Sequence, residues 1–166
     1  MEFRFDGVSD AEVARVRLDR LRSYRELTTV DVGRLAIAVA SNNVPLRFTA
    51  HLEGRNPESN EVTARLIALD WTYLVDDREI LSGSFERALQ FPPGQPVDVP
   101  ISIQFNMARF FEGDARALLE TALALTGHGT QSRDVTLRIT PTIDTAVGPI
   151  RYPVPINIHI SPSTEP

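Results

Sequence analysis

Apolar residues recur at every second position through most of this chain, and a period of two restricts it to strands paired in sheets. Val44, Leu46, Phe48, Ala50 and Leu52 fall on one face, while Arg47, Thr49, His51 and Glu53 fall on the other. From Thr49 to Phe91 the pattern reads as strand, Asn-Pro turn, strand, strand, tight Asp-Asp turn and strand, the middle of an antiparallel sheet.

The breaks in the pattern carry as much information as the runs. Pro57 fixes its own φ and pushes Asn56 out of the α region, so the chain turns or bulges there, and Ser59-Asn60 extends the turn. After Val62, Ala64 and Leu66 the apolar register moves to Ile67, Leu69, Trp71, Tyr73 and Val75. A one-residue shift sends side chains to the opposite face, which predicts a bulge, crossover or short turn near Leu66 to Ala68. Asp76-Asp77 closes a hairpin, since Asp tolerates left-handed backbone angles. Leu81, Gly83, Phe85, Leu89 and Phe91 carry the returning strand.

Phe91 to Pro96 is too rich in proline to pair centrally and is read as a connection. Val97, Val99, Ile101, Ile103 and Phe105 then alternate cleanly, with Pro100 marking a sheet edge or strand end. Val135, Leu137 and Ile139 predict another strand. A last alternation runs from Ile150 to Ile160, where Pro153 and Pro155 remove two ladder donors and mark an edge or an irregular strand.

Toward the start, Val13, Val16, Leu21, Tyr24 and Leu27 fit a helical stripe, but the alternation of Val16 and Leu18 with charged residues favours a strand. Leu35, Ile37 and Val39 alternate and predict a strand that turns at Ser41-Asn42-Asn43 into the next. The one expected helix lies at about 107–126: Phe111, Ala115, Leu118, Leu119, Ala122 and Leu125 form an apolar stripe. Gly113-Asp114 breaks it into a first turn and a main helix, with Asp114 as N-cap of the second piece and Gly127 as the C′ residue. The stripe is read as a permanent cap of the core, with a displaceable plug as the alternative. Seven or more short strands with turn signals about 8–12 residues apart, plus that one inserted helix, predict a mainly β fold. The expected fold is an antiparallel β-sandwich of immunoglobulin or fibronectin type III kind.

Composition bounds the function. At 166 residues, 42% of them hydrophobic, the chain fits one domain, 1–166, with residues 161–166 expected as a flexible tail. Cysteine is absent, which removes disulfides, thiolate nucleophiles and Cys-type zinc sites. The net charge is −5 and the basic residues are scattered along the sequence, so no nucleic-acid footprint is expected. No run reaches the roughly 18 apolar residues needed to span a bilayer.

The residues able to do chemistry are sparse. His51, His128 and His159 are far apart and lack metal-ligand spacing, so they are read as surface histidines. Asp76 and Asp77 are neighbours in a turn and face different ways. Ser82-Gly83-Ser84 lacks the nucleophile-elbow pattern. Gly127-His128-Gly129-Thr130 is too short for a phosphate loop and follows a helix instead of preceding one. Trp71 and Tyr73 are read as core aromatics. Expected catalytic, cofactor-binding and metal residues are therefore none.

The segments LRFTAHLEGRNPES, LIALDWTYLV and ILSGSFERALQFPPGQPVDVPISIQF, and the ending VTLRITPTIDTAVGPIRYPVPINIHI, carry a resemblance over residues 16–160. They resemble the water stress and hypersensitive response domain of the atypical late embryogenesis abundant proteins, in its bacterial desiccation-related form. Two features depart from that pattern: Glu58 stands where the usual Asn-Pro-Asn has its last Asn, and Asp76-Asp77 replaces an Asn-Gly-like turn. The resemblance implies a folded, non-enzymatic protein of desiccation and stress, with Asn56 and Pro57 structural. Its partner would be a membrane, protein or other envelope surface. It implies a periplasmic or membrane-anchored setting reached through a leader ahead of Met1, with the cytoplasm as the alternative. The competing expectation is a carbohydrate or small-ligand binding module of an envelope system.

Overall fold

The computed structural model describes residues 1–129 and 133–160. Thr130 and the expected tail at 161–166 lie outside the described residues. Among those described, the chain runs β1 (Glu2–Val13), β2 (Val16–Arg17), α1 (Thr29–Ala40), β3 (Pro45–Arg55), β4 (Ala64–Val75), β5 (Arg78–Phe85) and β6 (Leu89–Phe91). It continues with β7 (Pro96–Asn106), α2 (Ala115–Leu125), β8 (Val135–Thr145), β9 (Gly148–Arg151) and β10 (Ile156–His159). Single 3-10 turns occupy Tyr24–Glu26 and Met107–Arg109.

The fold is the expected mainly β one. A four-stranded sheet has the order β2-β1-β3-β7, and a six-stranded sheet has the order β10-β8-β4-β5, with β6 against β4 and β9 against β8. The antiparallel sheets make a sandwich-like arrangement. The Pro100 edge falls as read, since β7 is a terminal strand of its sheet, whereas Pro153 and Pro155 lie outside the strands, ahead of the terminal strand β10. The register of β4 against β8 shifts between Leu66 and Ala68, where the apolar face changes hands. The Asp76-Asp77 turn has φ of 50° and 62°, both left-handed.

Two compact units divide the chain. The first comprises Met1–Gly7, His51–Ile101 and Asp134–Ile160. Its interior is built on Leu69, Trp71, Tyr73, Phe91 and Leu137, each buried. Asn56 is buried with them at 1% exposure. Its Nδ2 donates to the carbonyls of Val62 (2.9 Å) and Phe91 (3.0 Å), and its Oδ1 accepts from Asn60 Nδ2 at 2.7 Å. The Asn-Pro corner is thus a polar clasp that closes the 56–64 turn onto β6.

The second unit comprises Val8–Ala50 and Ser102–Arg133, apart from residues 130–132. The helix expected at 107–126 covers only 115–125, with a separate 3-10 turn at 107–109; α2 buries Leu118, Leu119, Ala122 and Leu125, as the stripe predicts, and also Leu123 and Ala124. Asp114 Oδ1 accepts from the Ala117 N–H at 2.9 Å. Gly127 at φ 78° ends the helix, and the His128 N–H returns to the Leu123 carbonyl at 2.9 Å, a Schellman closure.

Two further expectations are corrected. Residues 29–40 form a helix instead of the strand read from Leu35, Ile37 and Val39. Thr28 Oγ1 accepts from the Asp31 N–H at 3.2 Å, Asn42 takes φ 56°, and the Asn43 N–H closes on the Ala38 carbonyl at 3.0 Å. Capping at both ends thus outweighs the β-branched alternation. The long final strand is really two, β9 and β10, because Tyr152 to Pro155 make no ladder.

Candidate functional site

The residues singled out from sequence are mostly occupied by one another. His51 Nδ1 on β3 meets Asp98 Oδ1 at 3.0 Å on β7. His159 Nδ1 meets Thr136 Oγ1 at 3.2 Å, and His128 Nδ1 meets Thr126 Oγ1 at 3.1 Å. No group of three metal-ligating side chains forms among the described residues. Ser82 Oγ pairs with Thr72 Oγ1 across the β4–β5 ladder at 2.9 Å, and Ser84 donates to Asp70 at 2.6 Å. The Ser84 bond, helped by Arg151, holds the Asp70 carboxyl below its ordinary range. Trp71 and Tyr73 are buried, and burial pushes the Tyr73 hydroxyl up.

Each unit carries a cleft. One of about 410 Å³ in the first unit is lined by Glu2, Phe3, Arg4, Glu53 and Arg55. Glu53 is the less exposed of its two carboxylates, and it lies 2.9 Å from Arg4 and 3.5 Å from Arg55. The Arg4 hydrogen bond lowers the Glu53 pKa, so this group keeps its charge and is a poor proton acceptor. The other, of about 230 Å³, lies within the second unit and mixes polar and apolar walls, with Asn42 and Glu112 beside Val39, Val44, Phe111 and Leu118. Neither collects a nucleophile with a base.

The feature that departs from ordinary packing is α1. Its inward face is Leu35 and Ala38, both buried. A helix on a water-soluble unit ordinarily puts polar residues on the opposite side. Here positions i, i+3, i+7 and i+10 of that side are Val30, Gly33, Ile37 and Ala40, all exposed. Val30 is 63% exposed and Ile37 70%. The only charged residues of the helix, Asp31 and Arg34, approach each other at 3.7 Å. Thus α1 is apolar on both sides, with one side facing water.

The approach to α1 has its own character. Arg15, Arg17, Arg20, Arg22 and Arg25 are all exposed on the stretch leading into the helix, against two acids there, Asp19 and Glu26. Only Arg17 of the five forms an ion pair among the described residues, with Asp19 at 3.2 Å. Ala14 and Arg15 occupy the two-residue turn between β1 and β2 at φ 49° and 66°. Left-handed angles are costly for both, yet they hold Arg15 out at the hairpin tip. Sequence reasoning treated the basic residues as scattered and missed this concentration. It also missed α1, although Thr28 three residues before Asp31 and Asn42 after the apolar run were the signals that could have found it.

No family model matches the chain, and no curated protein matches it. Two of the solved structures that match are distant likenesses. One is a crystal structure of a protein from Archaeoglobus fulgidus, 12% identical, covering 70% of this chain and 85% of that one at a TM-score of 0.41. The other is the solution structure of a protein provisionally named as late embryogenesis abundant, 18% identical, covering 96% of this chain and 70% of that one at a TM-score of 0.44. At such identities and scores neither likeness speaks to function.

Proposed function

We propose that the chain is a non-catalytic, stress-associated binding protein of late embryogenesis abundant kind, and that it acts through the outward face of α1. The observation that carries this is the stripe of Val30, Gly33, Ile37 and Ala40 left in water on a well-capped helix. Aliphatic side chains lined up on one exposed helix face gain their stabilisation only when something covers them, which makes such a face a candidate contact surface. The resemblance of residues 16–160 to the water stress and hypersensitive response domain supports the stress setting, and with it a periplasmic or membrane-anchored location. No helix among the described residues is long and apolar enough to cross a membrane, so contact through α1 would be with a surface. The competing carbohydrate or small-ligand role would use the cleft at Phe3, where Arg4, Glu53 and Arg55 already satisfy one another.

The test is protection of a freeze-labile reporter enzyme from aggregation, with wild type compared with Val30→Gln/Ile37→Gln. Both positions are exposed, so the variant should fold normally and lose most of the protection. Equal protection by the two proteins would refute the reading.

A further inference from the structure

We infer that the surface docked by α1 is an anionic lipid surface, an inference that rests on the docking role proposed above. Two independent features converge in the second unit. The first is the aliphatic stripe of α1, with Val30 and Ile37 exposed. The second is the run of exposed arginines at 15, 17, 20, 22 and 25, which enters α1 directly and whose β2 portion touches the helix. The chain as a whole is acidic at −5, so this local basic excess runs against its overall charge.

The chemistry of these side chains selects the partner. Arginines in water are attracted to anionic phosphate headgroups, and the attraction is additive over side chains near the surface. Short aliphatic side chains on a convex helix suit shallow insertion at the headgroup boundary, and a basic patch with an apolar element gives the two signals that stable adsorption needs. A protein partner fits less well. Two large exposed aliphatic residues give far less than the roughly 800 Å² per partner of a stable protein interface. No aromatic anchor of the kind that dominates such interfaces stands among the exposed large hydrophobics. Duplex nucleic acid would use the arginines and leave the stripe idle.

Flotation of the full chain with vesicles tests this. Vesicles of phosphatidylcholine alone are compared with an equimolar phosphatidylcholine and phosphatidylglycerol mixture at low and raised salt. Binding is expected to the mixed vesicles, weakened by salt and at least about tenfold weaker on the neutral ones. Arg20→Gln/Arg22→Gln/Arg25→Gln should weaken it about tenfold or more, and Val30→Gln/Ile37→Gln should do likewise, both with unchanged circular dichroism and melting. Equal binding to both vesicles, no binding to either, or preference for a DNA duplex would overturn the inference. If vesicles fail while reporter protection still depends on Val30 and Ile37, the lipid falls and the docking role stands. If neither assay responds to the stripe, both fall.

Discussion

The Trp71 indole lies directly over Gly83, its cross-strand partner between β4 and β5: a Cβ at Gly83 would come within 2.5 Å of Trp71 Cζ2 and 2.8 Å of Cε2. Glycine in a strand interior ordinarily weakens it, and here the missing side chain makes room for the ring. Gly83→Ala should therefore destabilise the protein by about 1–3 kcal/mol, because the buried indole must shift. Urea denaturation followed by tryptophan fluorescence checks this. An unchanged midpoint would mean that the ring has space to move.

Asn56 holds a corner that no apolar residue can hold. Asn56→Ala removes the partner of the Val62 and Phe91 carbonyls and of the Asn60 amide. A loss of about 2–3 kcal/mol is expected, because buried polar groups are left unsatisfied. The readout is the urea midpoint, with Asn60→Ala costing less because it removes only one of these bonds.

Arg15 separates stability from function. At φ 66° it is strained, and Arg15→Gly should relieve that strain, raising stability by about 0.5–1 kcal/mol. The same change removes one exposed cation and should weaken adsorption to anionic vesicles. Opposite signs in thermal melting and flotation are the expected signature.

Two carboxylates set the acid response. Glu53 is lowered chiefly by its hydrogen bond from Arg4, and Asp70 chiefly by its hydrogen bond from Ser84 and then by Arg151. A depressed folded-state value stabilises the protein fully above the ordinary unfolded values of 4.5 and 3.8, and the contribution fades as pH falls from there through the lowered values. Both pairs meet solvent, so each effect is small. Glu53→Gln should lower the urea midpoint at pH 7 and make progressively less difference as pH falls below 4.5. A gap that stays constant with pH would contradict the assignment.

The strands were legible where one face is buried and the other wet. Burial follows the alternation of Leu46, Phe48, Ala50 and Leu52, and likewise that of Val99, Ile101 and Ile103. The bulge at Leu66 to Ala68 and the Asp114 cap were also readable, because each leaves a local chemical mark. Residues 29–40 were misread for a physical reason that bears on function. Sequence periodicity reports a helix only when its outward side is polar, and Val30, Gly33, Ile37 and Ala40 supply no contrast to Leu35 and Ala38. The same apolar outward side that makes α1 a candidate docking face hid it as a helix. The Asn56 clasp was half legible: the turn could be read from Pro57, but the burial of Asn56 depends on β6, distant in sequence.

Contact between the outward side of α1 and an anionic lipid surface can be measured directly, because the chain has no cysteine of its own. An environment-sensitive fluorophore is attached through Ile37→Cys, and in a second protein through Val147→Cys, a position 90% exposed at the β8–β9 turn. On adding vesicles containing phosphatidylglycerol, the label at position 37 should shift to the blue and become shielded from aqueous iodide, while the label at 147 should not change. A label at 37 that stays equally accessible to iodide, or two labels that respond alike, would contradict the account.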